Sequence, residues 1–319
     1  MRDHKSLQYE LLQACNLQNV KNNSTLKSLK TDTKAFADWC KSEGGVRRLG
    51  EIDDPKALIQ AYADYLIAEG KYTAGTIHRK IYAPCRALGI SMRDVDKPKR
   101  TQATIVRGRR DDPDAVPKRG DLEAAEDRHA RLVACATLTG LRRSEIRRLK
   151  GGDLQKDESG YLCVRVIGGK GGKDQLQRIL PSDADAVRQL FAGVPVGKKL
   201  FANDDMSNNI NIHRYRALHA QSAYDYYLGR LTADPAYRKQ LMSELKSRYN
   251  KACPGRDADK WLMKEIGVGT PYVLRGKNKQ RALDMGKPVT YDRIALLATS
   301  VFFLSHWRLD VTISNYMLV

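Results

Sequence analysis

The chain has 319 residues, of which 42% are hydrophobic and 7% aromatic, enough to bury one large core or two modest ones. No apolar run is long enough to cross a bilayer, and the opening stretch MRDHKSLQYE lacks the apolar core of a secretory leader, so a cytoplasmic protein with no membrane partner is expected. A formal net charge of +19 calls for a polyanionic partner. Nucleic acid ranks above an anionic lipid surface because the basic residues are interleaved with helical patterns and not gathered in one tail.

The first hundred residues read as short helices. STLKSLKTDTKAFADWCKSEGG opens on Ser24, a cap-type residue. It sets Leu26, Leu29, Thr33, Phe36 and Cys40 at three- and four-residue steps and closes on Gly44 and Gly45. DDPKALIQAYADYLIAEGK repeats the arrangement, with Pro55 in the first turn and Gly70 at the end. TAGTIHRKIYAPCRALGI predicts a third helix that Pro84 kinks or ends. Residues 97–120 break the pattern with prolines, glycines and dense Lys and Arg, as expected of a basic linker between a helical domain at 1–96 and a second domain at 121–319. In the second domain, DLEAAEDRHARLVACATLTGLRRSEIRRLKGGDL predicts two helices meeting at Gly140, with Ser144 starting the second. YLCVRVIGGKGGKDQLQRILP predicts two strands joined by a Gly-Lys turn, and helical patterns resume to the end. The fold class expected is therefore mainly α with a small β-sheet or hairpin.

Several side chains have chemical potential. In TLTGLRRSEIRRLK, Arg142 falls at the corner between two helices, while Arg147, Arg148 and Lys150 fit a solvated face. The Gly-Lys turn is not a Walker loop, because Lys173 is followed by Asp174 and not by Ser or Thr, so no nucleotide cofactor is expected. His213 and Arg216 are three apart and share a helix face, with Ala220 and Ala223 small enough for close packing. Near the end, Tyr316 follows a β-branched run and lies ten residues after His306, and a core plug is its plain reading. The six cysteines are widely spaced, and no cluster of carboxylates or of His and Cys suggests a metal site, so no metal is expected.

Taken in order, these strings resemble the signature boxes of the tyrosine recombinases, the phage-integrase family. T-G-L-R-x-S-E resembles the first box, which implies that Arg142 grips a scissile phosphate and that Glu145 holds the box together. The Gly-Lys tip resembles the family's β-hairpin and implies Lys170 as the acid for the leaving oxygen, with Lys173 second. His213, Arg216, His219 and Ala220 resemble the second box roughly in register, and Tyr272 with Arg275 in YVLRG is a competing match. His306 and Tyr316 resemble the last box, with Ser305 where glycine is usual and Trp307 able to take the histidine's place.

The resemblance implies a core-binding helical domain that clamps DNA and an α/β catalytic domain, with a helical insertion at about 230–290. It also implies a site-specific recombinase or integrase of a mobile element, cutting and rejoining double-stranded DNA through a 3′-phosphotyrosyl intermediate as a homo-tetramer on two sites. In that chemistry Arg142 and Arg216 hold phosphate oxygens, His306 donates a further hydrogen bond and His213 accepts or orients a proton. Two other readings use the same residues: an accessory DNA-binding protein that has lost catalysis, and a type IB topoisomerase.

Overall fold

In the computed structural model, residues 5–17, 20, 23–99, 126–169, 174–206, 210–267 and 270–318 are described. The fold is mainly helical with a small antiparallel sheet, and no helix among the described residues is long and apolar enough to cross a membrane. The chain divides into two compact units, Met1–Lys118 and Arg119–Val319. Most of the basic segment expected as a linker lies outside the described residues.

The first unit contains the helices α1 (Leu7–Ala14), α2 (Asn23–Ser42), α3 (Pro55–Ala68) and α4 (Ala74–Ala87). Local chemistry sets their ends. The Asp54 carboxylate accepts from the Ala57 N–H at 2.9 Å, Pro55 occupies the first turn, where its missing donor costs nothing, and Gly70 leaves the helix region at φ +64°. Pro84 does not end α4 directly. It sits buried in the last turn, where it offers no N–H to the Lys80 carbonyl, and the helix closes at Ala87. The core gathers Phe36, Trp39 and Tyr62, with ring centroids 5.0–6.1 Å apart, against Leu66, Ile77 and Ile81. Each such large apolar side chain contributes roughly 1.5–3 kcal/mol on burial.

The second unit is built around α8 (Ile212–Ala233), which is buried on several faces and packs on α5 (Ala130–Thr139), α12 (Arg293–Ala298) and the terminal segment. The short helices α6 (Arg143–Ile146) and α7 (Ala184–Phe191) flank a three-stranded antiparallel sheet of β1 (Leu154–Lys156), β2 (Leu162–Val166) and β3 (Gln175–Arg178). In register, Cys163 faces Arg178 and Val164 faces Gln177. Both faces of β2 are covered at Cys163 and Val164, while Arg165 is exposed. Val164 and Val166 enter one apolar core, while on the other face the buried Arg178 lies between the Tyr161 and Phe302 rings, at 4.1 and 3.8 Å from their centroids. A buried guanidinium needs counter-charge. Asp157 at 2.6 Å and Glu244 at 2.9 Å supply it.

Glu244 comes from α9 (Tyr237–Ala252), the first helix of the segment expected as a helical insertion. That segment also holds α10 (Ala258–Ile266), α11 (Gly276–Asp284) and the two-residue strands β4 (Tyr272–Val273) and β5 (Thr290–Tyr291), which pair antiparallel. Along α9, Tyr237, Leu241, Leu245 and Tyr249 recur every fourth residue and are all buried, so the helix is fixed to the unit by one apolar stripe. The terminal segment follows as α13 (Leu309–Thr312) and one wider helical turn, Ile313–Met317, that carries Tyr316.

Candidate active site

Three polar side chains from separate parts of the chain, Arg142, Arg216 and His306, gather at the Tyr316 hydroxyl, the last two in direct contact with it. Arg216 Nε donates to Tyr316 Oη at 3.1 Å, and His306 Nε2 lies 2.8 Å from the same oxygen. Arg142 Nη2 is 3.1 Å from His306 Nε2. A guanidinium only donates, so the Tyr316 oxygen accepts from Arg216. His306 Nε2 lies within hydrogen-bond distance of both the Tyr316 hydroxyl and the Arg142 guanidinium, and in the tautomer with its proton on Nδ1 it offers one lone pair that either donor can use.

Each group has a local reason for its position. Small residues on α8 let the Tyr316 ring sit close, packed on Ala217, Ala220 and Leu304, so the plain reading of this residue as an apolar plug describes its ring but not its hydroxyl. Arg216 has no exposed surface. Its two terminal nitrogens donate to the Gly140 carbonyl and, at 2.6 Å, to the Leu304 carbonyl. Burial lowers its pKa, and the positive Arg142 adds to the effect. Glu145, 1% exposed, accepts from the Arg142 backbone N–H at 2.8 Å and from Arg142 Nη1 at 2.6 Å. Its carboxylate caps α6, so the helix starts at Arg143 with Arg142 in the cap position. Ser144, which the sequence suggested as the start, is exposed inside the first turn. Arg142 and His306 open onto a cleft of 1710 Å³ also lined by Arg165, Arg248 and Trp307.

Gly140 serves three contacts at once. It ends α5 at φ +59°, its carbonyl takes Arg216, and a Cβ there would stand 2.3 Å from His219 Cδ2. Gly140→Ala is expected to cost at least about 2 kcal/mol, from the left-handed backbone together with overpacking. A urea midpoint lowered to match, beside an unchanged midpoint for the exposed Ser144→Ala, is the expected result.

His219 is buried against Phe303, with ring centroids 5.5 Å apart. The Thr137 backbone lies nearby, but neither ring nitrogen has a hydrogen bond of good geometry. Burial, and then the Arg216 charge, push its pKa down to about 3. The folded protein thus keeps it neutral where an unfolded histidine, with a pKa of about 6.5, takes up a proton. Above that pH it adds no pH dependence. As pH falls from about 6.5 toward 3, the unfolded state binds the extra proton and stability drops by up to about 1.4 kcal/mol per pH unit. His219→Leu is expected to lose about one proton's worth of this slope in denaturant titrations between pH 7 and 4. Equal slopes in the two proteins would contradict the assignment.

The remaining residues expected from sequence fall as follows. His213 is exposed on the first turn of α8, and the rings buried beside Arg216 are Tyr316 and His219. Tyr272 sits on β4 with the Arg293 guanidinium over its ring, and Arg275 is exposed at the start of α11, so it is Arg216 that reaches Tyr316. The Trp307 ring points to Tyr249 and Trp261, leaving the place beside Tyr316 to His306. Lys170 and Lys173 lie outside the described residues.

No family model matches the chain, and no curated protein sequence does. Among solved structures it is similar to the crystal structure of XerA recombinase at 16% identity, over 68% of this chain and 83% of that one, with a TM-score of 0.23. A likeness at that level assigns no family and no activity.

Proposed function

We propose that the chain is a site-specific DNA strand transferase of the tyrosine-recombinase type, with Tyr316 as its nucleophile. One observation carries the reading: the Tyr316 hydroxyl, on a ring packed into the interior, accepts from the Arg216 guanidinium and lies 2.8 Å from an imidazole nitrogen of His306. A tyrosine that only fills a gap has no use for both. A phenol ordinarily titrates near 10 and needs a base and nearby positive charge to act at neutral pH. His306 Nε2 is placed to take the proton while Arg216 stabilises the phenolate.

Attack of the phenolate oxygen on phosphorus forms the O–P bond and breaks the bond to the 5′-oxygen. The Arg142 fork, facing the cleft, is suited to the non-bridging oxygens, whose charge grows in the transition state. The 5′-oxygen leaves with a proton, a role the sequence resemblance gives to Lys170. The phosphotyrosyl linkage keeps the bond energy, and a 5′-hydroxyl from another strand reverses the step. The net charge of +19 fits a duplex partner. In this reading the first unit clamps the DNA, and four protomers assemble on two sites.

Nicked duplexes cut from the DNA flanking the gene, incubated with the protein and run on a denaturing gel, test the proposal. A retarded protein–DNA band is the expected result. Duplex binding without any such band would favour the accessory-protein reading, and relaxation of supercoiled plasmids of any sequence would favour a topoisomerase.

A further inference from the structure

His306 owes its position to a short stretch of unusual backbone. Ser305 and Trp307, the residues on either side of it, have φ of +52° and +60°. In that region the Cβ of an L-residue crowds the carbonyl oxygen, and for a bulky side chain such as tryptophan it is a true outlier. Such a conformation persists only where the surroundings impose it.

Two kinds of contact impose it here. The ends of the loop are tied to Ser300: the His306 N–H donates to the Ser300 carbonyl at 2.8 Å, and the Arg308 N–H donates to Ser300 Oγ at 3.3 Å. Between those ties the Trp307 ring is held by an aromatic set from the segment 230–290. Tyr249 on α9 and Trp261 on α10 stack at 4.3 Å and 11°, and Trp307 packs on both, at 5.8 and 5.6 Å. Any relaxation of Trp307 to negative φ rotates the peptide plane joining it to His306. The imidazole would then leave the Tyr316 hydroxyl and Arg142.

We propose that the helical insertion is a positioning device for His306, with Tyr249 and Trp261 as the positioning residues that lock Trp307 and, through it, the imidazole. This rests on the part given to His306 in strand transfer, but the positioning itself can be measured without DNA. Trp261 is only partly buried, so the fold should survive its truncation, which a thermal melt checks.

In the protein alone, the imidazole NMR signals of His306, assigned with His306→Gln, should shift in Trp261→Ala and largely return in Trp261→Phe. They should stay fixed in Met263→Ala, which removes an exposed neighbour on the same helix. On nicked duplex at saturating concentration, Trp261→Ala should slow single-turnover cleavage tenfold or more while duplex affinity stays within twofold. In a His306→Gln background the same change should cost no further twofold. Unmoved imidazole signals, or an equal loss in both backgrounds, would overturn the proposal. If the wild type forms no covalent product at all, the strand-transfer reading fails, and the imidazole signals still decide the positioning.

Discussion

Tyr316→Phe is expected to abolish covalent joining to DNA, by at least about a thousandfold, while the protein stays folded and still binds duplex. The ring keeps its packing on Ala217, Ala220 and Leu304, so the apolar contribution is retained. What disappears is one oxygen that accepts from Arg216 and contacts His306. Losing a donor's partner at a buried guanidinium costs about 1–3 kcal/mol, small beside the loss of the nucleophile itself. Since charge and fold are untouched, the phosphate contacts that hold duplex DNA remain, and so does their salt dependence. Cleavage should vanish while affinity and its slope against salt match the wild type. A variant that still cleaves at a tenth of the wild-type rate would mean that another residue attacks.

Arg216 should give the second large effect, and two substitutions separate its roles. Arg216→Ala removes donors to the Gly140 and Leu304 carbonyls as well as to Tyr316, leaving buried acceptors unpaired at about 1–3 kcal/mol each and opening a cavity. Several kcal/mol of stability should be lost with the activity. Arg216→Lys keeps the charge but cannot span three acceptors in different directions, because an ammonium on a flexible stem lacks the planar fork. It should lose less stability than the alanine variant, about 1–3 kcal/mol for each acceptor left unpaired, and cleave about 10²–10³-fold more slowly. Urea melts and single-turnover cleavage measured on the same preparations separate the two effects. A lysine variant with wild-type rates would reduce Arg216 to a structural charge.

The parts of this arrangement that were legible in the sequence are those set by local chemistry. Asp54 and Pro55 at a helix start and Gly70 and Gly140 at helix ends act within a few residues, so their spacing revealed them. His306 and Tyr316 were legible as a ten-residue pair because one short segment carries both. His213 and His219 were harder to tell apart: both stand on α8, and only packing against α5 and Phe303 buries one and leaves the other exposed. The same limit applies to the choice between Arg216 and Arg275, since nothing near either arginine says which will lie under Tyr316. Arg178 and the Tyr249–Trp261 stack went unnoticed because their partners come from segments far away in the chain. The four-residue spacing from Tyr237 to Tyr249 was the one local sign that α9 docks on something.

The residue joined to DNA can be identified directly. Adduct trapped on a nicked duplex would be digested with nuclease and protease, and the peptide carrying the nucleotide sequenced by mass spectrometry. A single modified peptide from the end of the chain is expected, with the 3′-phosphate on the Tyr316 oxygen. A nucleotide found on any other side chain, or no modified peptide from a preparation that visibly cleaves, would contradict Tyr316 as the nucleophile.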